Sequence, residues 1–470
     1  MNGNGIKRRS VAIIGAGPGG LILAHKFLQR KDLFDVTVFE KQADVGGTWI
    51  YCEDTEPNKY GLPVHSSIYR NLSELHRYKN FEAKFQNHVF EKVQRLPVIP
   101  YFDNLTNLPI ATMEFDDFPH NQNPSKYVSH QQVLKYLQDF AHHFAIKKYT
   151  KFLHLVTKVS RDDDLWFVDY RNLETQESFT ETFDVVCICQ GRFSVPYIPN
   201  HIPGLNTFKG LKIHTHTYRV PDIFKNKRVA VLGGGPSGAD IALEVADVAS
   251  ETYLCHTVPK NGNFYPFGDK IIQTGAIFKS VGEDSIELTN GTVLRNIDAI
   301  IFATGYQIDL SIIDPSCGIE GGEGRVDGLF MHMININYPT MAYLGLMERI
   351  PVFNVFSQMA KYFVRTLTGE AELPSKDEMI LDLEADRKER QSLNRKMKHS
   401  HRMFCDEMWR YDEKLSILGR FKPLSPLTKA LYDKCLALFE GETNYKDYQF
   451  ILNYDKGTYV ALKKMTMKLD

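Results

Sequence analysis

Cysteine is scarce and badly placed for a structural role. The seven residues, at 52, 187, 189, 255, 317, 405 and 435, are odd in number, scattered, and contain no C-x-x-C. That excludes a disulfide framework and a paired-cysteine zinc site, and it fits a reducing compartment. Net charge is also nearly absent: 56 Lys and Arg against 57 Asp and Glu leave −1 at pH 7. A polyanion-binding surface is therefore not the main business of the chain, and no nucleic-acid partner is expected. No stretch reaches the ~18 uncharged apolar residues of a membrane span. The nearest approach, Met341 to Val364, is broken by Glu348, Arg349 and Lys361. The opening MNGNGIKRRS lacks the apolar core of a signal peptide. Sixteen histidines are present, but His142-His143 and His399-x-His401 lack supporting ligands, so no metal site is expected. These absences leave a cytoplasmic, enzyme-sized chain.

What is present is ordinary in amount and specific in pattern. At 470 residues the chain allows about three compact units. Ser10 to Ile14 reads as a strand, Gly15, Gly17 and Gly20 punctuate the entry to an apolar helix from Leu21 to Phe27, and a second strand, Asp35 to Phe39, ends at Glu40. The pattern recurs as the strand Arg228 to Leu232, the glycines Gly233, Gly235 and Gly238, and the helix Ala239 to Val245. Two such units about 200 residues apart predict two dinucleotide-binding lobes in an α/β fold. Between them, Leu153 to Phe183 alternates apolar and polar residues like an antiparallel meander. It runs into the apolar strand Asp184 to Cys189, and an analogous strand, Asp298 to Ala303, closes on Thr304-Gly305-Tyr306. Beyond residue 370 the chain reads as helical, with Ser375 and Glu378 forming a capping box for the helix Lys376 to Arg390.

The first glycine run, Gly15-Ala16-Gly17-Pro18-Gly19-Gly20, fits G-x-G-x-x-G. Its glycines allow a tight turn, approach of backbone to a pyrophosphate, and close helix–strand packing. Glu40 lies 20 residues (40 − 20) after the last glycine, where an acid binds a ribose hydroxyl.

Glu40 followed by Gly46-Gly47-Thr48-Trp49 resembles the FAD site of the flavin-containing monooxygenases and their Baeyer–Villiger relatives. Phe208-x-Gly210-x-x-x-His214-x-x-x-Tyr218 matches the signature of the former in each required position, and Arg219 follows where Baeyer–Villiger enzymes carry Pro or Asp. His214 by itself reads as a structural, hydrogen-bonded histidine at the junction of the lobes. Gly233-Gly234-Gly235-Pro236-Ser237-Gly238-Ala239-Asp240 resembles the family's NADPH motif, with Pro236 in place of the usual Asn, and Phe302-Ala303-Thr304-Gly305-Tyr306 resembles its (F/L)ATGY segment. Thr106-Asn107-Leu108-Pro109 followed by Phe115-Asp116-Asp117-Phe118-Pro119 resembles the segment carrying the family's catalytic asparagine. Ile334 to Tyr343 is similar to soluble, insect-type members.

The resemblance implies an FAD domain from 1–204 and 305–470 with C-terminal helices, and an NADPH domain inserted at 205–304. It implies Asn107 as the catalytic residue, and cofactor contacts at Gly15 to Gly20, Glu40, Gly47, Thr48, Trp49, Thr106, Asn107, Gly233, Gly235, Ser237, Gly238, Ala239, Asp240, Thr304 and Gly305. The implied activity is of the N,N-dimethylaniline monooxygenase type: NADPH reduces FAD, O2 gives a C4a-hydroperoxyflavin, and a soft nitrogen or sulfur becomes an N-oxide or S-oxide. The substrate is a small nucleophilic molecule, and a homodimer is one possible assembly. The alternatives are a Baeyer–Villiger or N-hydroxylating enzyme, or an inactive nucleotide-binding paralogue. Two departures stand out. Ser73 to Leu105, about 33 residues (105 − 72), separates Ser67-to-Leu72 from Thr106, as a lid or as a gene-model error. The strand Glu251 to Thr257 offers only His256 and, farther on, Lys260 for a 2′-phosphate; without an acid there, the reading leans to NADPH.

Overall fold

Two sheets, one mixed with a parallel centre and one wholly parallel, organise the computed structural model, which describes residues 7–51, 105–120, 123–258, 264–322, 324–442 and 445–464. Ser67 to Leu72, Lys260 and the departure beginning at Ser73, up to residue 104, lie outside the described residues.

The first sheet has seven strands, in the order Leu329–Phe330, Ile334–Asn335, Met341–Tyr343, Val185–Ile188, Arg9–Ile14, Phe34–Glu40 and Thr150–Phe152. Its centre is parallel, with Val11 beside Val36 on one flank and Val185 on the other. Both faces are covered, which is why these strands are near-continuous apolar runs. Val11 and Ile13 face a core shared with Phe353 and Phe356 of the helix Val352–Thr368. Ala12 and Ile14 face the opposite core, with Trp166, Val168 and Tyr170 of the expected meander, His154–Asp162, Leu165–Asn172 and Ser178–Phe183. Strand alternation thus sends successive residues into two separate cores.

The second sheet is parallel throughout, in the order Leu211–His214, Ala299–Phe302, Arg228–Leu232, Glu251–Cys255 and Ile272–Gln273. All of it comes from residues between 211 and 302, within the stretch separating two neighbouring strands of the first sheet, Val185–Ile188 and Met341–Tyr343.

The expected capping box is formed: Ser375 Oγ accepts from Glu378 N–H, and the Glu378 carboxylate accepts from Ser375 N–H at 2.8 Å. The expectation of helix throughout the C-terminal region fails after residue 447. Tyr448–Asn453 and Thr458–Lys463 form a hairpin, and the first strand pairs with Ser125–Lys126. Phe450 and Leu452 point inward at a period of two while Ile451 is exposed, a strand pattern in a stretch read as helix. Among the described residues no helix is long and apolar enough to cross a membrane.

Candidate functional site

The parallel strands Arg9–Ile14, Val185–Ile188 and Met341–Tyr343 end side by side. Their carboxyl ends deliver Gly15, the Cys189-Gln190-Gly191 turn and Leu344-Gly345 to one rim, the usual position of a ligand crevice in an open α/β sheet. The second sheet does the same with Gly233 after Leu232, Ala303-Thr304-Gly305 after Phe302, and Thr215 after His214.

The glycines of the two turns divide into the same three roles. Gly15 and Gly233 lie at φ +103° and +116°, and a Cβ there would sit 2.5 Å from the Cys189 carbonyl oxygen or 2.3 Å from that of Ala303. Gly20 and Gly238 are barred from side chains by packing, since a Cβ would fall 1.8 Å and 1.9 Å from the Gly15 and Gly233 carbonyl oxygens. Neither reason applies to the middle glycines. Gly17 (φ −76°) and Gly235 (φ −78°) have ordinary backbone. A Cβ on Gly17 would meet only Gly47 Cα at 3.5 Å, and one on Gly235 would meet nothing within 4 Å. Within the described residues, the chain's own packing does not demand glycine at these two positions, and both leave backbone open to close approach by a ligand.

The following helices fit such a ligand. Pro18–Leu28 and Pro236–Ala246 begin with no side-chain cap and no acid in the first turn. The helices at 130, 376 and 426 instead begin behind capping serines, Ser129, Ser375 and Ser425, while Val352–Thr368, which also lacks a side-chain cap and an acid in its first turn, follows Pro351 rather than a glycine turn. The two glycine-turn helices therefore keep N–H groups and positive dipole ends for an anion.

Several expected contact residues have their polar groups engaged within the chain. Glu40 is buried; its carboxylate accepts from Ala16 N–H at 2.7 Å and Gln42 N–H at 2.8 Å, while burial pushes its pKa up against those donors. Ala16 N–H is thus committed to Glu40, which ties the strand end to the glycine turn. Gly46 N–H donates to the Ala16 carbonyl at 3.0 Å, bringing Gly47 beside Gly17. Trp49 is buried with its ring edge-on to Phe353, so the ring itself belongs to the core. Pro18 opens the first helix, and Gly19 packs against Leu344. Thr304 donates to the Tyr197 carbonyl, whereas Gly305 faces open space. Ser237 stands in the first turn of the second helix, and Ala239 is buried beneath it. His214 joins the motifs: its Nδ1 accepts from His216 N–H at 3.0 Å, leaving Nε2 to donate to the Gly305 carbonyl at 3.0 Å. His256 is packed on Gly234 and engaged by Thr257 and Gln273.

The Thr106–Asn107 segment is fixed from several sides. Thr106 N–H donates to the Val128 carbonyl at 2.8 Å, and its hydroxyl donates to the Leu108 carbonyl while accepting from Val128 N–H. Downstream, Lys26 of the first helix, nearly buried, reaches Asp116 at 3.0 Å and Asp117 at 2.6 Å; Lys361 reaches Asp116, and His25 reaches Asp117. Asn107 is half-buried, and its Oδ1 accepts from the Tyr445 hydroxyl at 3.3 Å. Beside it Lys446 Nζ donates to the Leu105 carbonyl at 3.2 Å and lies 3.1 Å from Asp240 Oδ2. Tyr445 and Lys446 escaped the sequence reading because nothing at 338 residues' separation from Asn107 marks them. Among the described residues no cluster could hold a metal.

Residues 83–263 and 269–455 match the family model described as flavin-binding monooxygenase-like, and residues 13–81 match that of an NAD(P)-binding Rossmann-like domain. The chain is 30% identical over 410 residues to flavin-containing monooxygenase FMO GS-OX5 of Arabidopsis thaliana, covering 84% of this chain and 81% of that protein. It is 29% identical over 384 residues to senecionine N-oxygenase of Tyria jacobaeae, covering 79% and 74% respectively. The S-allyl-L-cysteine S-oxygenase structure from Allium sativum superposes with a TM-score of 0.77 at 25% identity, covering 94% of this chain and 96% of the other.

Proposed function

The chain belongs to the flavin-binding monooxygenase-like family, and from that premise we propose that it uses FAD, NADPH and O2 to oxygenate soft nucleophilic nitrogen or sulfur atoms of small molecules. The observation that carries the reading is the pair of glycine turns whose middle glycines have no explanation among the described residues, each opening an uncapped helix. We divide the chain into an FAD domain, 1–204 and 305–470, and an NADPH domain, 205–304.

The FAD pyrophosphate is assigned to Gly15–Gly20 with Gly47 and Thr48, and Glu40 holds the turn in place. The NADPH pyrophosphate is assigned to Gly233–Gly238, with Ser237 at the helix entrance and Thr304–Gly305 across the rim. When bound, FAD and NADPH would supply the redox and oxygen-activating chemistry, as cofactors generally do. The protein positions and shields. Asn107 does so with a neutral amide that can both donate and accept hydrogen bonds and does not titrate near pH 7; its oxygen accepts from Tyr445. The preference for NADPH over NADH is modest, because no acid ends the Glu251–Cys255 strand but His256 is already engaged. A reducing, cytoplasmic location fits the free, buried cysteines at 187, 189, 255, 317 and 435.

The test is to purify the protein, identify released FAD, and follow NADPH oxidation with methyl phenyl sulfide and N,N-dimethylaniline, quantifying sulfoxide and N-oxide. Oxygenated product from either probe supports the assignment. Protein without flavin, or NADPH consumption yielding only H2O2 with every nucleophile offered, refutes it.

A further inference from the structure

Tyr445 and Lys446 are neighbours in the chain; both touch the segment that carries Asn107, and Lys446 also reaches the second glycine-turn helix. Lys446 is 11% exposed at its side chain, and its ammonium joins the Leu105 carbonyl, two residues before Asn107, to Asp240 on the helix behind the second glycine turn. A second connection runs through aromatic rings. Tyr265 donates to the Gly234 carbonyl at 2.6 Å and packs its ring against Phe439. Phe439 lies edge-on to Tyr445, with ring centroids 5.4 Å apart, and the Tyr445 hydroxyl reaches Asn107. Tyr445 is itself buried and edge-on to Tyr127, so its hydroxyl is directed by packing. Two sets of contacts therefore lead from the second glycine turn and its helix to the Asn107 segment, one through Lys446 to the Leu105 carbonyl and one through Tyr445 to the Asn107 amide.

We propose that Tyr445 and Lys446 are positioning residues that couple nucleotide occupancy of the second turn to the placement of Asn107. This deepens the function proposed above and rests on it. Lys446 holds Asp240 and the Asn107 segment at a fixed separation, and Tyr445 anchors the Asn107 amide. NADP+ bound at the second turn restrains Asp240, and through Lys446 it restrains the segment that carries Asn107. Loss of either residue is expected to let reducing equivalents escape as H2O2 rather than reach product.

The experiment uses FAD-loaded protein with Lys446→Met, Lys446→Arg, Tyr445→Phe, Asp240→Asn, and the Lys446→Met/Asp240→Asn double variant. Three quantities are measured: FAD content, the NADP+ dissociation constant by flavin-absorbance titration, and the H2O2-to-sulfoxide ratio with methyl phenyl sulfide. FAD content should hold. Lys446→Met should weaken NADP+ by about fivefold or more, the lower end of measured couplings, and should raise the H2O2 share. Lys446→Arg should restore both. Tyr445→Phe should raise the H2O2 share with NADP+ affinity changed less than about twofold, since it removes a hydroxyl without a charge. In the Asp240→Asn background the Lys446→Met effect on NADP+ should shrink, because the partner charge is gone. Wild-type values of both readouts in Lys446→Met, or effects of Lys446→Met and Asp240→Asn that simply add, overturn the coupling alone. Wild-type protein that consumes no NADPH overturns the reading on which the coupling rests, and the coupling with it.

Discussion

Alanine at Gly235 should separate folding from nucleotide binding. The new Cβ enters open space at φ −78°, so native packing is not disturbed. Two opposing effects act on stability. Removing a glycine's unfolded-state freedom stabilises by about 0.4–1 kcal/mol at a compatible φ/ψ. Gly235 is also the N-cap of Pro236–Ala246, where alanine is poorer than glycine by several tenths to about 1 kcal/mol. The net change is within about ±0.5 kcal/mol, or roughly 1–2 °C in Tm. Binding has no such compensation. The Cβ occupies the surface on which the pyrophosphate would lie, and losing charge-assisted contacts of about 1.5–3 kcal/mol weakens NADP+ about 10- to 100-fold. Gly238→Ala is the contrast: its Cβ would lie 1.9 Å from the Gly233 carbonyl oxygen and 3.2 Å from Ala303 Cβ, both fixed by the sheet. Overpacking of that kind costs at least about 1–3 kcal/mol. Thermal denaturation of FAD-loaded protein without NADP+, with equilibrium titration of NADP+, checks both. Gly235→Ala with wild-type NADP+ affinity would show that the open side of this turn faces no ligand, and the site would have to be redrawn.

Three further outcomes are expected. Asn107→Asp should retain FAD but lose roughly tenfold or more in oxygenation rate, about 1.4 kcal/mol, as its charge repels an anionic reaction centre in a low dielectric; product per NADPH is the measure, and an unchanged ratio refutes the role. Lys26→Met leaves Asp116 and Asp117 without their buried partner, and chemical denaturation should report a loss of up to about 3 kcal/mol, the low end for a broken buried pair because both carboxylates are partly exposed. Glu114 has its pKa raised from 4.5 to about 7 by burial. Between those values the unfolded chain ionises first, so this residue's contribution to stability, full below pH 4.5, is lost as pH rises towards 7. Glu114→Gln should flatten that part of the stability–pH curve, and an unchanged slope would show that Glu114 does not titrate there.

The sequence made local features legible and hid distant ones. Strand, glycine turn and helix occur within about 20 residues of one another, so their periodicity and punctuation can be read directly. The capping box at Ser375 and Glu378 is equally local. By contrast, Lys26 meets Asp116 across 90 residues and Tyr445 meets Asn107 across 338, and such pairs leave no spacing to detect. Thr106 shows a subtler limit. Its hydroxyl donates to the nearby Leu108 carbonyl but accepts from Val128 N–H, 22 residues away, a partner that no local spacing marks.

The interleaving of the two sheets also sets an order of assembly during synthesis. Every strand of the second sheet emerges between residues 211 and 302, so its pairings can form as that stretch is made. Val185–Ile188 is fully buried in the finished protein, but its outer edge must wait more than 150 residues for Met341–Tyr343. Until then a wholly apolar strand presents an unpaired edge, the kind of surface that recruits other chains. A chain released after residue 302 but before residue 341 would thus hold every strand of the second sheet and a first sheet with one open edge. Of the two sheets, the one begun first is the one completed last.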